Sequence, residues 1–233
     1  MTETEAPTYR GVLLDLDGTL VDSNNAHAQA WHRALTENGH EVPLEEIERR
    51  IGMGGDNLLP SLLGIEKESE LGTRLSERRG EIFRELLPHI RPFPEVRPLL
   101  EKMREAGLRP VIATSSPDEE LNPLVEIAGI GDLLEARTSA DDAESSKPDP
   151  DIVQAALARL ELPPGETVML GDTPYDIAAA GAAGVRVIAF RCGGMFSDED
   201  LNGALAIYDG PAELLERWEE SPLGTGTRQL QGV

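Results

Sequence analysis

The sequence predicts an α/β protein: a doubly wound parallel sheet in three layers, with an all-helical cap inserted after its first strand. Two observations carry that reading. From residue 95 onward, short runs of Val, Ile and Leu alternate with helical stretches, the pattern of a parallel sheet covered on both faces. Residues 23–90 break the rhythm and read as helix after helix. Gly107, Gly129 and Gly184 stand where three of the helices should stop.

The elements follow in order. Residues 12–16 form the first strand. Helical stretches come next at 24–37, 44–51, 56–63 and 67–87, the first expected to be capped by Asp22 or Ser23. A Pro-rich bridge at 88–94 leads back into alternation: helix 95–106, strand 110–114, helix 118–128, strand 133–137, helix 150–160, strand 167–170, helix 174–183 and strand 185–190. A weaker strand is expected at 204–208. Residues 8–21 and 91–220 would then be the core and 22–90 the cap, with hinges near 20–23 and 89–94. Residues 1–7 and the Gly-, Thr- and Gln-bearing stretch 221–233 are expected to be flexible termini. No internal repeat is visible.

Composition narrows the function. With 233 residues, 39% hydrophobic and only 4% aromatic, the core must be built from Leu, Ile, Val and Ala. A formal charge of −22 should repel nucleic acid and anionic lipid, so neither is an expected partner. The same charge is also what genomic bias or adaptation to salt produces. Lys67, Lys102 and Lys147 are the only lysines in an Arg-rich set of cations. No apolar run approaches the roughly 18 residues that suggest a membrane span, and the N-terminus lacks an apolar h-region. Cys192 is the single cysteine, which excludes an internal disulfide and fits a reducing cytoplasm. Oligomeric state, monomer or homodimer, leaves no readable trace.

Three strands end in polar groups. VLLDLDGTL places Asp15 and Asp17 at the end of the first, VIATSS places Thr114, Ser115 and Ser116 at the end of the second, and TVMLGDTPYD places Asp172 and then Asp176 after the fourth. In an open α/β sheet, ligands bind outside the carboxyl ends of the strands, so these groups converge on one edge. Asp15 and Asp172 would crowd negative oxygens together unless a hard cation neutralised them, and Mg²⁺ suits oxygen donors. A carboxylate so neutralised can attack phosphorus and form an aspartyl-phosphate. Asp17, two residues on, is placed to protonate the leaving oxygen and then activate water. Gly18 lets the backbone turn sharply and approach a phosphate. The Thr114 hydroxyl and the Ser115 N–H would hold phosphoryl oxygens, and Lys147, in SSKPDP, would add positive charge.

DLDGTL, ATSS, SKPDPD and GDTPYD, in that order, resemble the haloacid dehalogenase-like hydrolases. The likeness is to the subgroup with a helical cap after the first strand, in the phosphoglycolate phosphatase and β-phosphoglucomutase branch, and spans roughly residues 10–194. The resemblance implies a Rossmann-like core and a cytoplasmic, Mg²⁺-dependent phosphatase for a small phosphorylated metabolite. It implies Asp15 as nucleophile, Asp17 as general acid/base, and Thr114 with Lys147 on the phosphoryl oxygens. It implies Asp15, the Asp17 carbonyl and Asp172 as Mg²⁺ ligands, with Asp176 beside them orienting Lys147 or a metal-bound water. His27 matches the histidine of DSNNAHAQAW and would face the site near the hinge, at the substrate.

Several of these residues admit another reading. A calcium loop at Asp15 fails, because its sixth position is Leu20 and its twelfth Ala26. Thr114 and Ser115 could simply cap the next helix, and His27 beside Trp31 could be a packed histidine. Arg49, Arg50 and the turn 52–55 could touch the leaving group or be a solvated face. His32, His40 and His89 lack ligand spacing, which disfavours a zinc site. A phosphosugar mutase shares the chemistry, yet glycines in RRIGMGGDNLLP stand where that branch carries a basic residue. A dehalogenase has no use for Asp17, and a phosphonate hydrolase needs a cap lysine, whereas Lys67 lies in the exposed-looking run EKESE. A phospho-acceptor signalling module has no reason for an insertion of about 70 residues in a βα connection. A non-catalytic binding protein is the last alternative, against which every catalytic position is filled.

Overall fold

The computed structural model describes residues 9–227. Six strands form one parallel sheet: β1 (Gly11–Leu14), β2 (Arg109–Ala113), β3 (Ala136–Thr138), β4 (Thr167–Gly171), β5 (Arg186–Phe190) and β6 (Ala206–Tyr208). Their order is β3-β2-β1-β4-β5-β6. The order reverses between β1 and β4, which pair in register from Gly11↔Thr167 to Leu14↔Leu170. A crevice therefore opens at the carboxyl ends of these two strands.

Side-chain alternation along β1 explains the three layers. Val12 and Leu14 join one apolar cluster with α5 (Val96–Glu105), α6 (Asp118–Ala128) and α9 (Pro211–Glu216). Leu13 points the other way, into a second cluster with α7 (Asp151–Leu160) and α8 (Pro174–Ala182).

Between β1 and β2 the chain forms α1 (Asn24–Glu37), α2 (Leu44–Glu48), α3 (Gly55–Leu63) and α4 (Glu70–Leu86). They bury a cluster of their own, with Trp31, Leu35, Ile47, Leu58, Leu59 and Leu75 at its centre. Ala30 and Ala34 of α1 and Ile82 and Phe83 of α4 pack instead into the larger core cluster. The helical insertion thus has its own apolar centre and also shares part of the main core.

Several expected boundaries move, each for a local reason. The helix expected at 44–51 ends at Glu48, because Arg50 and Ile51 N–H turn to the carbonyls three residues back and Gly52 follows at φ 103°. The helix expected from residue 67 begins at Glu70, where Ser69 Oγ accepts the Gly72 N–H at 3.0 Å, so Lys67 lies in a loop. The strand expected at 133–137 starts later: Leu133 N–H closes a turn on Ile130, and pairing begins with Glu135 N–H on Pro110 O at 2.8 Å. Ser23 precedes α1 but makes no side-chain cap, since its hydroxyl is spent on Asp17.

The terminal expectation is corrected in part. Residues Pro222–Thr227 form a short helix, α10, with Ser221 and Leu223 fully buried; Leu223 sits in the main core cluster. Residues 1–7 and 228–233 lie outside the described residues. No helix among the described residues is long and apolar enough to cross a membrane.

Candidate active site

Asp15 follows β1 directly, its N–H continuing the ladder to Leu170 O at 2.9 Å, so its carboxylate stands at the mouth of the β1/β4 crevice. Lys147 Nζ lies 2.5 Å from Asp15 Oδ1 and 2.7 Å from Asp176 Oδ1, and all three side chains are almost completely buried. Asp176 is held by a capping box at the start of α8. Thr173 Oγ accepts the Asp176 N–H at 3.1 Å, while Asp176 Oδ2 accepts the Thr173 N–H at 3.0 Å and its hydroxyl at 2.7 Å. One carboxylate oxygen thus starts the helix and the other is left for Lys147.

Asp172 directly follows β4 and accepts from Thr19 Oγ1 at 2.9 Å and Asn24 Nδ2 at 2.8 Å. The backbone packs so closely around it that a Cβ on Gly18 would lie 2.2 Å from Asp172 Oδ2, and one on Gly193 only 1.8 Å away. Gly18 also sits at φ 73°. Oxygens of Asp15, Asp172 and Asp176 all fall within 4.8 Å of one another.

Burial raises the Asp15 carboxyl to about 7; Lys147 opposes the rise, and Asp176 and Asp17 add to it. Burial, then Asp15 and Asp176, likewise push Asp172 well above the ordinary carboxylate range. Burial works against the Lys147 charge too, but Asp15 and Asp176 outweigh it and hold the ammonium above its usual pKa. Three buried carboxylates facing one ammonium leave an excess of negative charge. That donor set, all oxygen, fits a hard divalent cation.

Asp17 is governed by its neighbours. Burial alone would raise its carboxyl. The charge of His27, then the hydrogen bonds from His27 Nε2 at 2.7 Å, Ser23 Oγ at 2.5 Å and Ser116 Oγ at 2.7 Å, more than reverse this and hold it well below the ordinary range. Arg79 donates to His27 Nδ1 and to Glu120. His27 is also stacked on Phe83, ring centroids 4.0 Å apart. Both ring nitrogens of His27 are therefore taken by protein groups.

Above these groups lies a cavity of about 370 Å³ between sheet and helical insertion. Asp15, Asp17, Thr114, Ser115 and Ser116 form its floor; Trp31, the turn from Ile51 to Asp56, Lys67 and one face of α4 form its roof. The roof is seated on the core. Asp56 Oδ2 accepts the Ser146 N–H at 2.8 Å, and Asn57 Nδ2 donates to Ser146 O at 2.8 Å. Tyr175 donates to Arg49 O.

The structure brings together Asp15, Asp17, Gly18, His27, Thr114, Ser115, Lys147, Asp172 and Asp176. Thr114 Oγ1 accepts the Ser116 N–H at 3.1 Å and keeps its proton to donate. Arg49 and Arg50 do not line the cavity; Arg50 bonds Ser61 and Glu46 O. Lys67, read as exposed, is half-buried and does line it. Sequence reading gave no role to Thr19, Asn24 or Ser116, which adjoin recognised motifs and could have been found there. Arg79 and Glu120 had no local signal, since their meeting depends on α4 crossing α6.

Fold and site together define an enzyme of the hydrolase class built around a cluster of buried aspartates. A family model for haloacid dehalogenase-like hydrolases matches residues 9–184, and the chain belongs to that family. It is 32% identical over 190 residues to a phosphoglycolate phosphatase of Nitrosospira multiformis, covering 79% of this chain and 84% of that one. It is 30% identical over 178 residues to the pyrophosphatase PpaX of Bacillus velezensis, covering 75% and 80%. Among solved structures, a hydrolase from Pseudomonas syringae superposes with a TM-score of 0.84 at 30% identity, covering 91% of this chain and 98% of that one.

Proposed function

We propose that the protein is a Mg²⁺-dependent phosphatase that hydrolyses a small phosphate monoester, such as phosphoglycolate or a sugar phosphate, through an aspartyl-phosphate on Asp15. The observation that carries this reading is the buried set Asp15, Lys147, Asp172 and Asp176 at the β1/β4 switch point, directly beneath the cavity. Mg²⁺ held by Asp15, Asp172, the Asp17 carbonyl and, directly or through water, Asp176 would offset their charge and polarise a phosphoryl oxygen.

The chain's own residues carry the steps. Lys147, the Thr114 hydroxyl and the Ser115 N–H hold the phosphoryl group over Asp15. The Asp15 carboxylate forms a bond to phosphorus as the ester P–O bond breaks, and Asp17, ionised in the free enzyme, takes up a proton from the bound monoanionic ester and passes it to the leaving oxygen. A water then attacks phosphorus, Asp17 takes back a proton, and Asp15 is released with inorganic phosphate. Residues 22–90 act as a cap on a core of 8–21 and 91–220, and its closure keeps bulk water out. We place the enzyme in the cytoplasm, with Cys192 reduced.

A mutase reading would need basic cap groups to grip a second phosphate on the returning sugar. Arg49 and Arg50 turn away from the cavity but Lys67 lines it, so the mutase is kept as the second reading, tested by isomerisation of sugar 1-phosphates with a bisphosphate activator. The test is phosphate release from a panel of monoesters and pyrophosphate, with Mg²⁺ and with EDTA, for wild type and Asp15→Asn. Mg²⁺-dependent release by wild type alone is expected. Full turnover by Asp15→Asn, or activity indifferent to exhaustive chelation, would sink the mechanism.

A further inference from the structure

The phosphoryl half of the site is accounted for, but nothing so far says what reads the rest of the substrate. The cations lining the cavity are few. Arg79 gives both terminal nitrogens to Glu120 and His27, with only its Nε left without a partner, and its guanidinium packs over Phe83 and Trp31. Arg84 pairs with exposed Glu119 at 3.3 Å. Lys67 remains: among the described residues its ammonium has no hydrogen-bond or ion-pair partner, although the chain carries 43 acidic side chains against 21 Lys and Arg.

The loop that carries Lys67 is nonetheless fixed. Thr73 Oγ1 donates to Lys67 O at 3.3 Å, and the loop packs so tightly on α4 that a Cβ on Gly72 would lie 2.7 Å from that carbonyl. The aliphatic stem runs beside Gly55, whose position would place a Cβ 3.9 Å from Lys67 Cδ. A lysine held by its backbone and stem, with the charge left free at a cavity wall, suits an anion that arrives with the ligand. The other roof residues here, Ile51, Gly52, Met53, Gly54, Gly55 and Trp31, offer no side-chain charge.

We propose that Lys67 is the specificity-determining residue of the cap, pairing its ammonium with a second anionic group on the leaving half of the substrate. The proposal rests on the monoesterase reading and narrows it to esters whose alcohol bears a carboxylate or a further phosphate. The acids at the cavity do not substitute for it. Asp56 is turned to Ser146 N–H, Glu81 and Glu119 are paired with Arg78 and Arg84, and Glu77 is exposed. Without Lys67 the wall would favour a cationic leaving group instead.

The test uses four two-carbon esters of similar length: phosphoglycolate, ethylene glycol bisphosphate, neutral 2-hydroxyethyl phosphate and cationic phosphoethanolamine. Lys67→Met should raise KM for phosphoglycolate or for the bisphosphate at least tenfold, and whichever responds names the anion. KM for the neutral ester should stay within twofold, and KM for phosphoethanolamine should fall. Lys67→Arg should recover most of the loss, and kcat should be preserved throughout. The same affinities, measured by calorimetry with Mg²⁺ on an Asp15→Asn background, read Lys67 without turnover. Selective binding with no hydrolysis of any ester by wild type would strike the monoesterase reading and leave this one standing. Equal losses on all four esters, or none, would overturn it.

Discussion

Seating of the cap can be tested at one atom. Gly54 precedes α3 with φ −71° and ψ 165°, an extended conformation open to any residue, so alanine there brings no backbone strain. Losing glycine at an N-cap for alanine costs about 1 kcal/mol or less, and the stiffer unfolded chain returns about 0.4–1 kcal/mol, so net stability should barely change. What alanine cannot do is fit. Its methyl would lie 2.2 Å from Ser146 Oγ and 2.4 Å from Ser146 Cβ, against an ordinary contact of roughly 3.5–4 Å. The roof must lift by about an ångström or push aside the loop that carries Lys147, loosening the Asp56 and Asn57 bonds to Ser146. Misplacement by about 1 Å costs on the order of 100-fold in rate. Gly54→Ala should therefore lose about two orders of magnitude in kcat/KM for phosphate release, with a melting temperature within a few degrees of wild type. Gly165→Ala, whose added carbon meets nothing within 4 Å, is the control. Wild-type turnover by Gly54→Ala would refute the claim that this closed seating is the working geometry.

Two further outcomes follow from the buried charges. Lys147→Met removes the only ammonium between Asp15 and Asp176; in chelated protein at pH 8 it should lower unfolding free energy by about 3–5 kcal/mol in a urea titration. A loss below about 1 kcal/mol would mean the carboxylates are compensated elsewhere. In metal-free protein, the Asp15 carboxyl is raised from 3.8 to about 7, so the folded state holds its proton more tightly than the unfolded chain. That contribution is fully present below about pH 4 and lost as pH rises through about 7, and raised Asp172 acts in the same sense. Melting temperature measured in EDTA should accordingly fall between pH 5 and 8, and saturating Mg²⁺ should flatten the slope. A rise over that interval in EDTA would contradict the assignment.

The sheet was legible because its strands are apolar runs ended by glycine-stopped helices, and the site because parallel strands deliver their C-terminal residues to one edge. Asp15, Thr114 and Asp172 could be brought together on paper for that reason alone, whereas Lys147, in a loop before a helix, was singled out by its charge and by the resemblance. Register-level details were not legible. Leu133 and Leu134 look like strand residues, and only the hydrogen bond from Leu133 back to Ile130 assigns them to a turn. Lys67 looks solvated in EKESE, since nothing local shows that Ser69 starts the next helix and leaves the lysine in a loop against the cavity. The bond from Arg79 to Glu120 joins two helices whose crossing no sequence period encodes.

Gly18 and Gly193 contribute no functional group, yet each occupies space that any side chain would take from Asp172. In a saturation library both positions should tolerate substitution as poorly as the aspartates themselves. A survey that ranks positions by the reactivity of their side chains would pass over them, and one that ranks them by lost activity would place them inside the catalytic centre. For anyone redesigning this scaffold toward new esters, the cap can be varied, whereas these two empty positions must be left alone.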